Sequence, residues 1–322
     1  MANLILTQKC NKNCSYCFAR EFRQDIAVQN EMSLDLVSSI LDKVLIDNPN
    51  NARISLLGGE PTEHSQFEEI LLLCFSRNVS VNLISNFLFS PEIRETLLRC
   101  LREKKNISFL VNATELRSRI SIFAENYNTI HPIAGENALS CGLTFDGELL
   151  TPGGFDSYIS FLQDHLDSID KLRLSLNFPG SSENKGDYYF INNLKLGDLV
   201  YHAVRRCLFI GASPAIDCIT FPCMYRSNKI KKFIQQYDSS HHGCICSSPP
   251  EDYFPDGSVK YCFPFMKSSL DSSKYRSDKL IVLALRNSYQ AAQRFISPPP
   301  ECSSCQFFKN KECQGPCMGF IK

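Results

Sequence analysis

Residues 4–17 read LILTQKCNKNCSYC: a short apolar run, Leu4 to Thr7, passes directly into three cysteines, Cys10, Cys14 and Cys17. A strand of this kind ends where the loop begins, so the thiols emerge at its carboxyl end, the side on which parallel barrels carry their active sites. From Asn3 to about Asn177, short apolar runs alternate with longer amphipathic ones, the pattern of repeated strand-helix units around a parallel sheet. Strands are expected at Leu4–Thr7, Arg53–Leu57, Ser80–Ile84, Ile107–Asn112, Ser140–Phe145 and Leu172–Asn177. Helices are expected at Ser33–Ile46, Gln66–Ser76, Pro91–Glu103, Glu115–Asn126, Asp156–Ser168 and Leu196–Gly211. Ser33 and the Ser90-Pro91 pair stand where N-caps belong. Six such units make an α/β fold with a partial (β/α)6 TIM-like barrel. In LRLSLN, residues 172–177, Arg173, Ser175 and Asn177 alternate with leucines, which turns one face to the helices and a polar one to the lumen. The same alternation turns Cys141 towards the helices as an inert buried thiol.

The chain has 322 residues, 43% apolar and 11% aromatic, so a large core is within reach. Lys plus Arg (34) balances Asp plus Glu (34), which disfavours a nucleic-acid or anionic-lipid surface as partner. No basic segment followed by a long apolar stretch opens the sequence and no window is apolar enough to span a bilayer, so a cytoplasmic protein without membrane contact is expected.

After Gly211 the texture changes to Cys, Pro, Ser and Gly, with helical periodicity persisting only at Asn228–Tyr237. Too few periodic apolar positions remain to hold such a segment by burial, and bound metal can supply what the core lacks. The expected division is 1–213 for the barrel and 214–322 for a small Cys-rich domain. Sixteen cysteines in a chain of this length fall short of a disulfide scaffold. Their crowding at both ends suits thiolate ligation of a metal centre.

Three thiolates are one too few to close a four-iron cubane, and the open iron is free for a substrate or cofactor. A zinc knuckle or a chance triplet is the plainer alternative. The second strand ends in GGEPT, residues 58–62: two glycines that let backbone approach a ligand, then Glu60, a carboxylate able to receive an ammonium. The third strand ends in Ser85-Asn86.

The C-x3-C-x2-C loop after the first strand, Tyr16 before its last cysteine, and GGEPT after the second strand together resemble the radical S-adenosylmethionine (AdoMet) enzyme superfamily, over residues Leu4 to about Asn177. The resemblance implies a [4Fe-4S] cluster on Cys10, Cys14 and Cys17 whose open iron chelates AdoMet. It implies that Gly58, Gly59, Glu60 and the adjoining Pro61 meet the methionine end, and that Tyr16 lies beside the adenine. Ser85, Asn112 and Arg173 are further expected contacts; as ordinary strand-end polar residues they would need no ligand. Where many relatives have Thr-Asn-Gly, this chain has Ser85-Asn86-Phe87, a departure that bears on the backbone path.

The late cysteines, Cys246-x10-Gly257-x4-Cys262 and then Cys302-x2-Cys305-x7-Cys313-x3-Cys317, resemble SPASM and twitch extensions, which bind auxiliary iron-sulfur clusters. With Cys223 and Cys244 they number eight, enough for two auxiliary [4Fe-4S] clusters. One cluster with Cys244 or Cys246 idle, or a structural zinc at Cys302–Cys317, are the alternatives, and His241 or His242 can replace a sulfur. Cys74, Cys100, Cys141, Cys207 and Cys218 are left to packing.

The function implied is reductive cleavage of AdoMet and hydrogen abstraction from a peptide or protein, as in maturases that form thioether or carbon-carbon crosslinks. A small-molecule dehydrogenase or epimerase is the alternative, and a noncatalytic iron-sulfur or zinc protein the alternative of another class. An electron donor such as flavodoxin or ferredoxin is an implied partner. With the cluster loop at residue 10, a separate leader-binding protein is a further one. The loop Pro179–Asn193, with Tyr188 and Tyr189, is either a lid or a plain linker.

Overall fold

A computed structural model describes residues 2–17, 31–135, 138–176, 192–217, 221–237, 251–261, 269–293, 299–313 and 315. Each expected strand forms, within one or two residues of its anticipated ends: β1 (Ala2–Ile5), β2 (Arg53–Leu57), β3 (Ser80–Ser85), β4 (Ile107–Asn112), β5 (Leu139–Phe145) and β6 (Lys171–Leu176). They pair in parallel in sequence order, and α1 (Leu34–Asp47), α2 (Phe67–Ser76), α3 (Pro91–Arg102), α4 (Ile120–Ala134) and α5 (Pro152–Gln163) make the crossovers. The molecule is thus an α/β protein built on a partial-barrel sheet.

Two helices begin away from their anticipated starts, for local reasons. Glu115 takes a left-handed backbone (φ 55°), so α4 opens only after a turn closed by Arg119 N–H donating to Leu116 O at 2.8 Å. In α5 the helix starts earlier, because Pro152 fits its first turn and the Thr151 hydroxyl accepts from Gly154 N–H at 3.1 Å.

The sheet continues past Ser213. After α6 (Leu194–Phe209), β7 (Ser213–Asp217) pairs in parallel with β6, and α7 (Asn228–Gln235) follows. On the opposite edge β8 (Glu251–Tyr253) lies parallel to β1 and forms a hairpin with β9 (Ser258–Tyr261), which β10 (Leu270–Asp271) extends. A further helix, α8 (Asp278–Gln293), then packs on α1 with Ile281 and Leu285 buried. The order is β10-β9-β8-β1-β2-β3-β4-β5-β6-β7.

Alternation along the strands sorts the side chains. Leu4, Ile54, Leu56, Val81, Leu83, Phe109, Val111, Leu172 and Leu174 face the helices and are buried in one core. Cys141 is buried there beside Tyr127, and burial pushes its thiol up to about 12. Cys74, Cys100 and Cys207 are likewise buried. The lumen face carries a polar floor, in which Ser108 Oγ donates to Asn82 Oδ1 at 3.1 Å and Arg53 donates to Ser108 Oγ at 2.9 Å. Above it Ile5, Leu57 and Phe254 form a small apolar layer. Arg173 and Ser175 point from β6 with the half-buried set, as their alternation predicts. Among the described residues no helix is long and apolar enough to cross a membrane.

Candidate active site

Past the end of β1 the chain remains stitched to β2. Leu6 N–H donates to Leu57 O at 2.8 Å, Gly59 N–H to Thr7 O at 2.7 Å, and Glu60 N–H to Lys9 O at 2.7 Å. A Cβ at Gly58 would lie 2.4 Å from Thr7 O, and one at Gly59 would lie 2.1 Å from Lys9 O. Only glycine permits this approach, and what the two glycines approach is the cysteine loop itself.

Glu60 is 1% exposed and occupies the centre of a donor set. Thr62 and Ser85 hydroxyls donate to Oε1 at 2.8 and 2.7 Å, and Asn86 N–H donates to Oε2 at 2.8 Å. Burial pushes its carboxyl above the ordinary range, and those donors oppose the shift. Pro61 is buried at the start of the short turn that follows. Ser85 thus faces Glu60, and its oxygen also accepts from Phe87 N–H at 3.0 Å.

Phe87 takes φ 58°, the left-handed conformation that a glycine adopts freely. The cost is offset by burial: its ring is fully covered, with Phe89, Phe109 and Phe123 at centroid distances of 4.9, 5.7 and 6.3 Å. Asn126 Nδ2 donates to the carbonyls of Phe87 and Phe89 at 2.9 and 3.0 Å, which fixes the turn.

Cys10, Cys14 and Cys17 are half-buried on a loop closed by Cys17 N–H donating to Cys14 O at 3.3 Å. Burial pushes the Cys14 thiol up, and the nearby Lys12 ammonium opposes it. Burial in turn lowers Lys12, whose Nζ donates to Thr114 O. The Ser15 hydroxyl meets both Glu115 and Asp146 carboxylates. Tyr16 is buried, and its hydroxyl donates to Asn112 Oδ1 at 2.9 Å. Asn112, Gly142 and Arg173 stand in one register row across β4, β5 and β6. Tyr16 is thus tied to Asn112, on the register row that also holds Arg173, and Glu60 is tied to Ser85. The three thiols sit on one short loop against a glycine cradle, a soft donor set that suits an iron-sulfur cluster. Asn11, Lys12 and Asn86 were not among the anticipated site residues. Asn11 and Lys12 stand between two of the cysteines, which was a signal in itself.

A second set of thiols converges elsewhere. Cys223, on the short turn Pro222–Met224 after β7, lines one cavity with Cys302 in α9 (Pro300–Ser304), Cys305 between α9 and α10 (Gln306–Lys309), and Cys313 beyond α10. Phe221, Phe307 and Phe308 complete the wall. Burial, then the proximity of Cys313, Cys223 and Cys305, pushes the Cys302 thiol up to about 11. Asn192 N–H donates to Cys223 Sγ at 3.5 Å and Gly315 N–H to Cys313 Sγ at 3.4 Å. Among the described residues no three His, Cys, Asp or Glu side chains are arranged to hold a single metal ion. Cys218, Cys244, Cys246, Cys262 and Cys317, with His241, His242, Asn177 and most of the loop 179–193, lie outside the described residues.

Residues 4–132 match the radical SAM superfamily model. Over 84 residues the chain is 32% identical to an S-adenosylmethionine-dependent nucleotide dehydratase of Selenomonas ruminantium, a stretch that spans 26% of this chain and 28% of that relative's length. Streptococcus suis SuiB bound to S-adenosylmethionine superposes with a TM-score of 0.67 at 16% identity, covering 99% of this chain and 72% of that one. Native anSMEcpe with bound AdoMet superposes with a TM-score of 0.69 at 17% identity, covering 99% and 89%. At such identities the likeness establishes the fold. With the family match over its first part, the chain carries a radical SAM superfamily domain.

Proposed function

We propose that the protein is a radical AdoMet enzyme that abstracts hydrogen from a peptide or protein side chain. The observation that carries the chemistry is the stitching of the Cys10–Cys17 loop onto Gly59 and Glu60 at the carboxyl end of the sheet, within a radical SAM domain. Cys10, Cys14 and Cys17 would hold a [4Fe-4S] cluster with one iron open to AdoMet. When bound, a reduced cluster and AdoMet would supply one-electron cleavage of the sulfonium and, through it, hydrogen-atom abstraction from the substrate.

The chain's own residues supply positioning. Gly58 and Gly59 bring the GGEP turn against the loop, and Glu60 with Ser85 fixes that turn to the end of β3. Tyr16 and Asn112 are assigned to the adenosine side, and Arg173, on the same register row, to the methionine carboxylate. Ile5, Leu57 and Phe254, a small buried apolar cluster, are assigned to keeping water from the lumen.

Cys223, Cys302, Cys305 and Cys313 are assigned to an auxiliary [4Fe-4S] cluster, supported by their shared cavity and by the N–H groups directed at two of the sulfurs. Cys223 thereby supplies a fourth ligand from upstream, and Cys244, Cys246, Cys262 and Cys317 remain for a second cluster. Flavodoxin or ferredoxin would deliver the electron.

The fold is shared with SuiB bound to precursor peptide SuiA, at a TM-score of 0.64, and with anSMEcpe bound to AdoMet and Kp18Cys peptide, at 0.67, which supports a peptide substrate. The identity with a nucleotide dehydratase over 84 residues favours the second reading, a small-molecule substrate. Anaerobic reconstitution with iron and sulfide, then dithionite and AdoMet, tests the chemistry: 5′-deoxyadenosine is expected, and its absence from protein with a reduced cluster would overturn it. Hydrogen transfer from deuterated candidate peptides or nucleotides into 5′-deoxyadenosine separates the two substrate readings.

A further inference from the structure

Between the first two cysteine ligands stands a residue whose side-chain amide is fully engaged. Asn11 Nδ2 donates to Glu63 Oε1 and to Leu88 O, each at 3.0 Å, and Asn11 Oδ1 accepts from Asn86 Nδ2 at 2.8 Å. Its backbone carbonyl accepts from Arg119 Nη1 at 2.8 Å. One residue thus ties the loop to the turn after β2, the exit of β3 and the segment after β4. Asn86 is held in its turn, since its N–H donates to Glu60 Oε2 at 2.8 Å and its Oδ1 accepts from Leu88 N–H at 2.9 Å. A continuous line Asn11–Asn86–Glu60 results, and Glu60 N–H closes it on Lys9 O at 2.7 Å. The residues on both sides of Cys10 are therefore pinned, Lys9 through its backbone and Asn11 through its side chain.

We propose that Asn11 is the positioning residue of the cysteine loop, with Asn86 as its partner, and that together they hold the loop in its ligating conformation before metal arrives. The assignment rests on the reading of Cys10, Cys14 and Cys17 as cluster ligands. Only an amide can fill this role, because an aspartate at position 11 has no donors and would face the Glu63 carboxylate, and an aliphatic residue leaves Asn86 Nδ2 and Leu88 O without this partner. Preorganisation matters because three thiolates must be gathered on one centre against their mutual repulsion and the loop's entropy. Asn86, with both side-chain polar atoms so engaged, acts on the loop.

The test uses the whole chain as Asn11→Ala, Asn86→Ala, the double variant and Asn86→Asp, which keeps the Leu88 acceptor and loses the donor to Asn11. In iron-free protein, amide hydrogen exchange over residues 8–17 should quicken about tenfold in each single variant, with exchange in β2 to β6 unchanged. Iron affinity of the reconstituted site should fall about 10–100-fold. The effect of the double variant should fall short of the sum of the two single ones, because both remove the Asn11–Asn86 bond although each also loses bonds of its own. Wild-type exchange rates in iron-free Asn11→Ala, or strictly additive effects in the double variant, would overturn the proposal. Should Asn11→Ala fail to fold, Asn86→Asp decides by the same two measurements. Loosening of the loop in the variants of a wild type whose reduced EPR signal ignores AdoMet would leave positioning intact and sink the AdoMet reading instead.

Discussion

The Tyr16 hydroxyl donates to the side-chain carbonyl of Asn112 at 2.9 Å, joining the residue before Cys17 to the last residue of β4. Tyr16 is thereby held by β4. Asn112 Oδ1 also accepts from Thr114 N–H at 3.1 Å, so the asparagine stays ordered when the phenol is removed. Tyr16→Phe should weaken AdoMet binding several-fold, about 1 kcal/mol for one neutral hydrogen bond, and leave iron content unchanged. Equilibrium binding to the reconstituted protein measures it.

Gly59→Ala places a methyl group 2.1 Å from Lys9 O, a backbone atom that cannot rotate away. The loop must move, at roughly 1–3 kcal/mol of stability, and the expected outcome is loss of iron from the first site with the late cysteines still loaded. Iron analysis beside thermal melting separates the two effects.

Phe87→Gly restores the residue that suits φ 58° and removes the ring that fills the pocket among Phe89, Phe109 and Phe123. Relief of the left-handed backbone returns about 1–2 kcal/mol, whereas truncating a buried phenylalanine costs about 3–5 kcal/mol. A net loss near ~2 kcal/mol is expected in urea unfolding, with the slope unchanged.

Asp252 in β8 is buried against Asn3 Nδ2 at 2.8 Å, and burial raises its carboxyl from an ordinary 3.8 to about 7. The folded state then holds a proton that the unfolded chain releases, so stability present below about pH 4 declines as pH rises towards 7. Asp252→Asn keeps an acceptor for Asn3 and cannot ionise. It should flatten the pH dependence and stabilise the iron-free protein at about pH 7.5 by an amount on the order of 1–4 kcal/mol, read from denaturation between about pH 4 and 8.

Cys223→Ala and Cys305→Ala, which line the same cavity, should remove the same complement of iron, and the double variant should remove no more. Cys14→Ala should abolish 5′-deoxyadenosine formation and retain that auxiliary iron. Cleavage at the wild-type rate in Cys14→Ala would withdraw the catalytic cluster from this loop.

The barrel was legible because β3 to β6 alternate strictly, where β1 and β2 are buried along nearly their whole length: Arg173 and Ser175 between leucines, and Cys141 opposite them in phase, reported which face was which. The sites at the strand ends were legible as residue types and less so as contacts. Phe87 looked incompatible with a glycine turn, yet aromatic packing from Phe89, from Phe109 on β4 and from Phe123 on α4 holds it there, and no local pattern announces such support. Glu60 and the paired glycines stood out by composition, but that they grip the neighbouring loop depends on a strand pairing between residues some fifty positions apart. β8 is three residues long and α8 is amphipathic only at Ile281 and Leu285 on its buried side, so tertiary contact, more than periodicity, decides both.

Asn3 and Asp252 face each other across a gap of 249 positions, so the strand that leads into the cysteines gains its outer neighbour only from the far part of the polypeptide. During synthesis that flank stays bare until the β8–β9 hairpin has left the ribosome, inviting mispairing with other nascent chains.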